Sequence, residues 1–322
     1  MTLGDINMQW FAQAPANIAL IKYMGKKDTK NNVPDNPSLS YTLNKLQSSV
    51  MLESQSGKND LWEPLLIPGA QAFDLKIAAQ QRFLQHLAFL KAKFQYSGGF
   101  IVRSSNNFPH SSGLASSASS FAALTKCAIQ ALAELTQKPL PSIAEQAHLS
   151  QLGSGSSCRS FFSPWALWDD EHVAAIDFPY PQLDHHVIII SHNEKQVSSA
   201  AAHLRVKTSP LYATRSQRAR ENLKILRHAL ETRDWQSAFT VTWREFHDMH
   251  TLFATSTDAF SYITPQSKEL LNLLQDFWHH HNDGPLVTMD AGPNIHLLYR
   301  LDQQSLAEQF RNDHLIGNYD VL

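Results

Sequence analysis

Glycine is scarce in this chain, and the few positions it occupies constrain the fold. Only 12 of the 322 residues are glycine. Three sites stand out, at Gly113 in FPHSSGLASS, at Gly153 and Gly155 in GSGSSC, and at Gly292 in DAGPN. Each lies between segments that read as strands or helices. Because glycine permits close backbone approach and unusual turns, these three loops are the first places to search for function.

The segments between the loops carry clear secondary-structure patterns. Short runs of β-branched and aromatic residues predict strands, at 47–53, 99–104, 172–178, 186–191, 285–289 and 295–299. Apolar residues three or four apart predict helices, at 74–94, from Gly113 to Leu132, from Pro141 toward Leu149, and at 211–231, 234–253 and 266–281. Groups of strands and groups of helices, without regular alternation, favour an α+β fold.

The length predicts two domains, at about 150 residues per domain. The helix-rich part of the chain follows the strand at 186–191, after the turn-like sequence Pro179-Tyr180-Pro181. We therefore predict an N-terminal domain at 1–184 and a C-terminal domain at 185–322.

The composition excludes several classes of protein. Apolar residues make up 43% of the chain and charged residues 17%, which argues against global disorder. The formal charge of −2 gives no sign of binding to nucleic acid or to an anionic membrane. Aliphatic runs such as Val187 to Ile190 are far shorter than the roughly 18 residues of a membrane span. Two cysteines are too few for a disulfide scaffold, and the N-terminus does not read as a secretory signal. We expect a cytoplasmic globular protein.

The serine-rich loop NNFPHSSGLASS at 106–117 runs directly into a predicted helix. Free backbone N–H groups at a helix N-terminus, with serine hydroxyls beside them, suit a polyphosphate. The alternative is a serine-rich helix cap with no ligand, since serine is a favoured N-cap residue. The loop is not a Walker A motif, because no Gly-Lys-Ser/Thr follows. GSGSSC lacks the third glycine of a dinucleotide fingerprint.

Histidine clusters invite a metal interpretation, but the spacing does not support one. The chain has His279-His280-His281, His185-His186, and His247 with His250, but no HExxH motif and no evident third ligand. We interpret these residues as surface or helix-end histidines, so the sequence leaves the metal ligands unknown.

Four segments together carry a family resemblance. They are APANIALIKYMGKKD at 14–28, NNFPHSSGLASSASSFAAL at 106–124, GSGSSCRS at 153–160 and MDAGPN at 289–294. The chain resembles the GHMP kinase superfamily and, within it, the diphosphomevalonate decarboxylases. The resemblance spans nearly the whole chain, with the motifs in the family's order. It implies a ribosomal-S5-like N-terminal domain, a ferredoxin-like C-terminal domain, a cleft between them, and a homodimer.

The resemblance also implies a reaction. ATP would phosphorylate the tertiary 3-hydroxyl of mevalonate 5-diphosphate, and loss of phosphate and CO2 would give isopentenyl diphosphate. By their motifs, Asp290 would orient the hydroxyl or take its proton, Lys22 would keep that aspartate ionised, and Arg159 would hold the substrate carboxylate. Without the motifs, Lys22 could be a surface charge, Arg159 a structural ion-pair partner and Asp290 an ordinary turn residue.

The remaining site residues follow from the same motifs. The implied substrate contacts are Asn17, Tyr23, Lys26, Ser154, Ser156 and, more loosely, Ser199. The implied ATP contacts are Ser111, Ser112, Gly113, Leu114, Ser116 and Ser117. ATP chemistry implies Mg²⁺.

Two of the departures from the family pattern bear on the substrate site. Met24 stands where the family usually has tryptophan, so the nearby pocket is expected to differ in shape. Ala79 stands where the family commonly has an arginine that reaches the substrate diphosphate, with Arg82 nearly one turn later. The missing arginine leaves the preference for diphosphate over monophosphate open.

Three alternatives follow from these departures and from the superfamily. One is a phosphomevalonate decarboxylase, which the missing arginine favours. Another is a small-molecule kinase that stops at phosphorylation, although such a kinase has no need of Arg159. The third is a ligand sensor without catalysis, which would normally have lost the aspartate or the lysine.

Overall fold

The computed structural model describes residues 8–67, 75–108, 116–192 and 195–322. The first half is built on a sheet in which β1 (Gln9–Ile21) and β4 (Ser38–Gln55) form the longest antiparallel pair. Four further strands complete this sheet: β5 (Leu61–Pro64), β6 (Gly99–Asn106), β7 (Trp165–Asp169) and β8 (His172–Ala175). The strand order is β5-β6-β4-β7-β8, and β1 pairs with β4 off this path. A small hairpin pairs β2 (Lys26–Asp28) with β3 (Val33–Pro34).

Three helices accompany this sheet, α1 (Ile77–Phe94), α2 (Ser116–Thr136) and α3 (Ile143–Gly153). The predicted helical spacing of α1 is confirmed, since Phe83, Leu87 and Leu90 are all buried. They share one apolar core with α2 and the inner residues of β4 and β6. A 3-10 turn at Gly155–Phe161 follows α3 and carries the GSGSSCRS motif across the end of α2.

The second half has its own four-stranded sheet, built from β9 (Leu183–Ile189), β10 (Leu286–Met289), β11 (Ile295–Arg300) and β12 (Asp320–Val321). The strand order is β10-β11-β9-β12. The helices are α4 (Ser199–Arg205), α5 (Arg215–Glu231), α6 (Trp235–Thr255), α7 (Pro265–His281) and α8 (Gln304–Phe310). The α+β class expected from the sequence is confirmed. The predicted division at 184/185 would cut β9, so we propose that the division lies between Ala175 and Leu183.

The two halves pack closely rather than meeting at a loose linker. One buried cluster contains Ile18 and Leu20 of β1 together with Val187 of β9, Leu226 of α5 and Trp235 of α6. Strand β1 ends on this cluster, and the residues that follow it enter a cavity. None of the helices in the described ranges is long and apolar enough to cross a membrane.

Candidate active site

A cavity of about 430 Å³ is lined by both halves of the chain. Loops that follow β1, α3 and β10 meet here, together with the start of α2 and the region of α4. Among its described lining residues, one is acidic, Asp290, and five are basic: Lys22, Lys26, Arg82, Arg159 and Lys195. This excess of positive charge suits a ligand with several negative groups.

Lys22 and Asp290 form an ion pair at the floor of the cavity, with 2.7 Å between Nζ and Oδ1. The Lys22 side chain is buried, whereas 26% of the Asp290 side chain remains exposed. Burial lowers the pKa of Lys22, and Asp290 opposes that shift. Burial alone would raise the pKa of Asp290, but Lys22 and other nearby cations outweigh it and hold the pKa below its ordinary value. Asp290 is therefore a carboxylate at neutral pH.

The backbone of Lys22 is held on both sides. Its N–H donates to Glu245 at 3.0 Å, and its carbonyl accepts from Asn36 at 2.8 Å and from Arg215 at 3.0 Å. Glu245 of α6 and Arg215 of α5 are themselves a buried ion pair. The position of Lys22 is thus fixed by the second half of the chain as well as by β1.

The DAGPN turn that carries Asp290 is anchored by side chains from neighbouring elements. His250 of α6 lies 3.2 Å from the Asp290 carbonyl, with its Nε2 atom facing the oxygen. Ser267 of α7 donates to the Pro293 carbonyl at 3.0 Å. Asn294 accepts from the backbone N–H of Ile190 at 2.8 Å. The turn is held from three directions, which fixes the carboxylate.

Arg159 lines the cavity near this pair and is positioned by two polar contacts. Its Nε donates to Asn17 Oδ1 at 3.1 Å and its Nη1 to Ser38 at 2.7 Å. The Nη2 group makes no hydrogen bond within the described part of the chain and is free for a ligand. Asn17, predicted as a substrate contact, does not line the cavity and instead lies behind Arg159, donating to Ser160 at 2.9 Å.

Tyr23 forms one wall of the cavity. Its ring packs on Trp168 at 4.7 Å between centroids. Burial raises the pKa of the Tyr23 hydroxyl, which has no hydrogen-bond partner among the described residues. A Cβ added at Gly155 would lie 2.6 Å from that hydroxyl oxygen, so glycine is required for the GSGSSC turn to pass this close. The Tyr23 hydroxyl is therefore a neutral hydrogen-bond donor without an acceptor among the described residues.

Lys26, Ser154 and Ser156, which the motifs imply as substrate contacts, also line the cavity. Lys26 donates to Asn32, and burial lowers the pKa of Lys26, with Arg82 and Lys207 adding to the shift. The three side chains therefore offer a cation and two hydroxyls on one side of the cavity.

Arg82, which lies nearly one turn after Ala79 in the sequence, adds a further cation to the cavity. Its guanidinium lies 5.4 Å from the centre of the Phe121 ring, and Nη2 donates to the Gly153 carbonyl at 3.3 Å. Residues 79 and 82 are three apart and share a helix face, so Arg82 presents a cation on the face where the family pattern leads us to expect one. The helical spacing was the signal that would have found it.

Lys195 lines the cavity although no sequence motif points to it. It donates to Ser199 Oγ at 2.8 Å and to the Ala291 carbonyl at 2.8 Å, next to Asp290. Ser199, predicted loosely, thus lines the cavity as a partner of Lys195. A lone lysine has no spacing signature, so nothing short of the fold would have revealed it. Met24 also lines the cavity and is buried against Met249 and neighbouring apolar residues.

The predicted nucleotide loop is placed only in part. Ser116 and Ser117 open α2 and line the cavity. Ser111, Ser112, Gly113 and Leu114 lie outside the described residues. The described ranges contain no group of three or more His, Cys, Asp or Glu that could hold a metal ion. Asp290 is the carboxylate that lines the cavity within these ranges.

Comparison with known proteins gives the same family for both halves. The family model for the diphosphomevalonate decarboxylase-like N-terminal domain matches residues 14–176, and that for the mevalonate 5-diphosphate decarboxylase C-terminal domain matches 186–313. A diphosphomevalonate decarboxylase of Saccharomyces cerevisiae is 29% identical, over 91% of this chain and 78% of its own.

Two solved structures are also similar. A mevalonate diphosphate decarboxylase from Legionella pneumophila is 64% identical, with a TM-score of 0.93 over 98% of this chain and 100% of the other. A structure described as MDDEF in complex with MVAPP, AMPPCP and magnesium is 26% identical, with a TM-score of 0.86 over 98% and 96% of the two chains. The α+β architecture is thus the GHMP kinase fold, and the chain belongs to the diphosphomevalonate decarboxylase family.

Proposed function

We propose that this protein is an ATP-dependent carboxy-lyase that converts mevalonate 5-diphosphate to isopentenyl diphosphate, ADP, phosphate and CO2. The observation that carries the proposal is the Lys22–Asp290 ion pair in one cavity with a free face of Arg159. Family membership supports the same reaction, as does the relative described with MVAPP, AMPPCP and magnesium. The protein would act in the mevalonate route to isoprenoids and as a homodimer, as the resemblance implies, and in the cytoplasm, as the composition suggests.

The first step is phosphoryl transfer to the 3-hydroxyl. The hydroxyl oxygen attacks the γ-phosphorus, ADP leaves, and the hydroxyl proton passes to Asp290. A carboxylate with a low pKa is a weak base, so Asp290 orients the hydroxyl first and accepts its proton late, when the new P–O bond has made it acidic. Lys22 keeps the carboxylate ionised and in place until then.

The second step is loss of phosphate and CO2. Phosphate departs from C3 with the C–O electron pair, the C1–C2 bond breaks, and its electrons form the C2–C3 double bond. Arg159 can hold the carboxylate in line with that bond through its free Nη2. A strong ion pair with Arg159 would stabilise the charged carboxylate of the substrate relative to neutral CO2 and so oppose its loss. Arg159 therefore contributes mainly by orienting the carboxylate. We propose that Asn17 serves by fixing the guanidinium.

The substrate diphosphate is proposed to lie at the side of the cavity lined by Tyr23, Lys26, Ser154 and Ser156. Arg82 enters this region from α1 and supplies the positive charge that Ala79 cannot. A second cation beside Lys26 favours two phosphate groups over one. This arrangement speaks against the monophosphate alternative that the substitution at 79 suggested.

The ATP phosphates are proposed to lie at the start of α2. Ser116 and Ser117 would contact them, with Ser111, Ser112, Gly113 and Leu114 completing the loop as the motif implies. Lys195, held beside Asp290 by Ser199, is placed to meet the negative charge of the transferring phosphoryl group. Magnesium bound to the nucleotide would neutralise part of the phosphate charge.

The test is a product assay with purified protein and Mg-ATP, offering mevalonate 5-diphosphate and mevalonate 5-phosphate in parallel. Equal amounts of CO2 and ADP from the diphosphate are expected, with much less from the monophosphate. ADP without CO2 would point to a kinase and overturn the role of Arg159. A preference for the monophosphate would move the assignment to the sister enzyme, and absence of both products would leave a binding protein.

A further inference from the structure

His203 lies in the cavity but has no place in the reaction described above. It belongs to α4, is 7% exposed, and lines the cavity next to Tyr23 and Lys26. Its ring packs on the Tyr23 ring at 4.4 Å between centroids. A single histidine on a short helix carries no sequence signature, so its presence here emerges only from the fold.

The hydrogen bonding of His203 determines which ring nitrogen carries the proton. Nδ1 accepts from the backbone N–H of Gly25 at 3.0 Å. A nitrogen that accepts cannot hold a hydrogen, so the neutral ring must carry its hydrogen on Nε2. Burial lowers the pKa of His203 to about 3, and the nearby charges of Lys26 and Arg159 act in the same direction. The ring is therefore neutral, with an N–H at Nε2.

That N–H is available to a ligand. Nε2 makes no hydrogen bond to any residue in the described ranges, while the Tyr23 hydroxyl beside the ring also has no partner. Phosphate oxygens only accept hydrogen bonds, and both groups are neutral donors. Together they add directional recognition to a cavity in which five cations already supply charge.

We propose that His203 is a substrate-binding residue that donates from Nε2 to the diphosphate of the substrate, with Gly25 fixing the required tautomer. The proposal rests on the proposed function, since it places the diphosphate beside Tyr23 and Lys26. Gly25 has a φ of +95°, and a Cβ there would lie 2.2 Å from the Tyr212 hydroxyl oxygen. The backbone donor that sets the tautomer is thus held in a turn that other residues fit poorly.

Two substitutions separate the two ends of the ring. In His203→Asn the amide oxygen can replace Nδ1 as acceptor for Gly25, but the Nε2 donor is lost. In His203→Gln the amide reaches the Nε2 position, but Gly25 loses its acceptor. We expect H203N to raise KM for mevalonate 5-diphosphate by about ten- to a hundredfold, the value of a hydrogen bond to a charged group, with KM for ATP unchanged.

We expect H203Q to keep KM for mevalonate 5-diphosphate within about threefold of the wild type while lowering Tm, because a buried backbone N–H loses its partner. The control is His148→Asn, on the exposed face of α3. A pattern in which H203N has the wild-type KM would overturn the proposal. So would equal rises in KM for both variants that follow their losses in Tm, because His203 would then only brace the loop.

A spectroscopic readout keeps the proposal testable without turnover. Long-range ¹H–¹⁵N spectra of the wild type should show one histidine in the Nε2–H tautomer whose signals vanish in H203N, among the 16 histidines of the chain. Adding mevalonate 5-diphosphate without ATP should shift that Nε2 resonance. An Nδ1–H tautomer, or no shift at saturating substrate, would overturn the proposal. A wild type that binds the substrate but releases no CO2 would instead count against the proposed function alone.

Discussion

A carboxylate serves as proton acceptor for an alcohol only while it is ionised, and Lys22 helps to keep Asp290, the proposed acceptor, in that state. Asp290→Asn keeps the shape of the side chain but removes the acceptor. We expect it to lower kcat by about 10²- to 10⁴-fold without unfolding the protein, since general-base contributions have that size. Single-turnover release of ADP and CO2 measures the effect. The control is Asp258→Asn, at an exposed position after α6. Near-wild-type turnover in D290N would assign the proton to another group.

The same ion pair predicts a pH dependence of stability. The pKa of Asp290 is lower in the folded protein than its ordinary value of 3.8, so its stabilising contribution is present above that value and is lost as pH falls through the folded pKa. The difference in free energy of unfolding between wild type and D290N should therefore stay constant from pH 7 to about 5 and shrink below about 4. Guanidinium denaturation at each pH gives this difference. A change already between pH 7 and 5 would mean that burial outweighs Lys22.

Gly155 carries a prediction about the shape of the cavity. A methyl group at this position would meet the Tyr23 hydroxyl at 2.6 Å and the ring at 2.9 Å, and the ring is packed between Trp168 and His203. Gly155→Ala should cost about 1–3 kcal/mol of stability by overpacking and raise KM for the substrate. Gly57→Ala is the matched control, because its nearest atom is 4.0 Å away. Equal behaviour of the two variants would show that Tyr23 can move aside.

Only part of the site can be read from the sequence at this scale. Lys22 and Asp290 are 268 residues apart, and no spacing rule joins them, so their pairing was expected only from the family resemblance. Arg82 was predictable from its helical spacing to Ala79. Lys195 and His203 were not, because each is a lone residue that becomes meaningful only when the fold brings it to the cavity.

At the scale of elements, α7 supports the DAGPN turn through one buried hydroxyl. Ser267→Ala removes the donor to the Pro293 carbonyl, and we expect it to cost about 1–2 kcal/mol and to lower kcat. Thr264→Ala removes the helix cap, whose side chain accepts from Ser267 N–H, and should cost about 1 kcal/mol with kcat unchanged. Thermal denaturation and steady-state kinetics separate the two. If kcat falls equally in both, the stability of α7 matters rather than the contact with the turn.

The elements themselves were predictable where the pattern was long and periodic. Helices α1, α5, α6 and α7 follow their apolar spacing closely. Strand β1 was missed because Ala16 to Ile21 is buried on both faces, which removes the alternation that marks a strand, and because a register shift follows Pro15. Helix α4 was missed because seven residues rich in alanine are too few for a periodic signal.

At the scale of the whole molecule, buried charge joins the two halves. Arg215 is 1% exposed and binds Glu245, Asp248 and the Lys22 carbonyl. Arg215→Met leaves Glu245 buried without its partner, so we expect a loss of about 3–5 kcal/mol and a fall in kcat. The control is Arg218→Met, a partly exposed partner of Asp248, which should cost at most about 1 kcal/mol. A stability loss in R215M without any change in kcat would separate the buried pair from the placement of Lys22.

The sequence predicted two halves but not how they are joined. Composition and periodicity describe each half separately, whereas Glu245 and Arg215 act across more than 190 residues on the end of β1. Such long-range contacts depend on how the two sheets pack, which no local pattern encodes.

The clamp on Lys22 also limits how this protein can move. A pivot at the base of the cavity would have to break the hydrogen bonds to both backbone groups of Lys22 and separate the Lys22–Asp290 ion pair. The base is therefore rigid, and Lys22 and Asp290 are already in place before either substrate arrives. Any motion that admits ATP or releases isopentenyl diphosphate must therefore be carried by other lining residues, such as the exposed Arg82 side chain. Substitutions there should alter the timing of turnover while leaving the chemistry at the base intact.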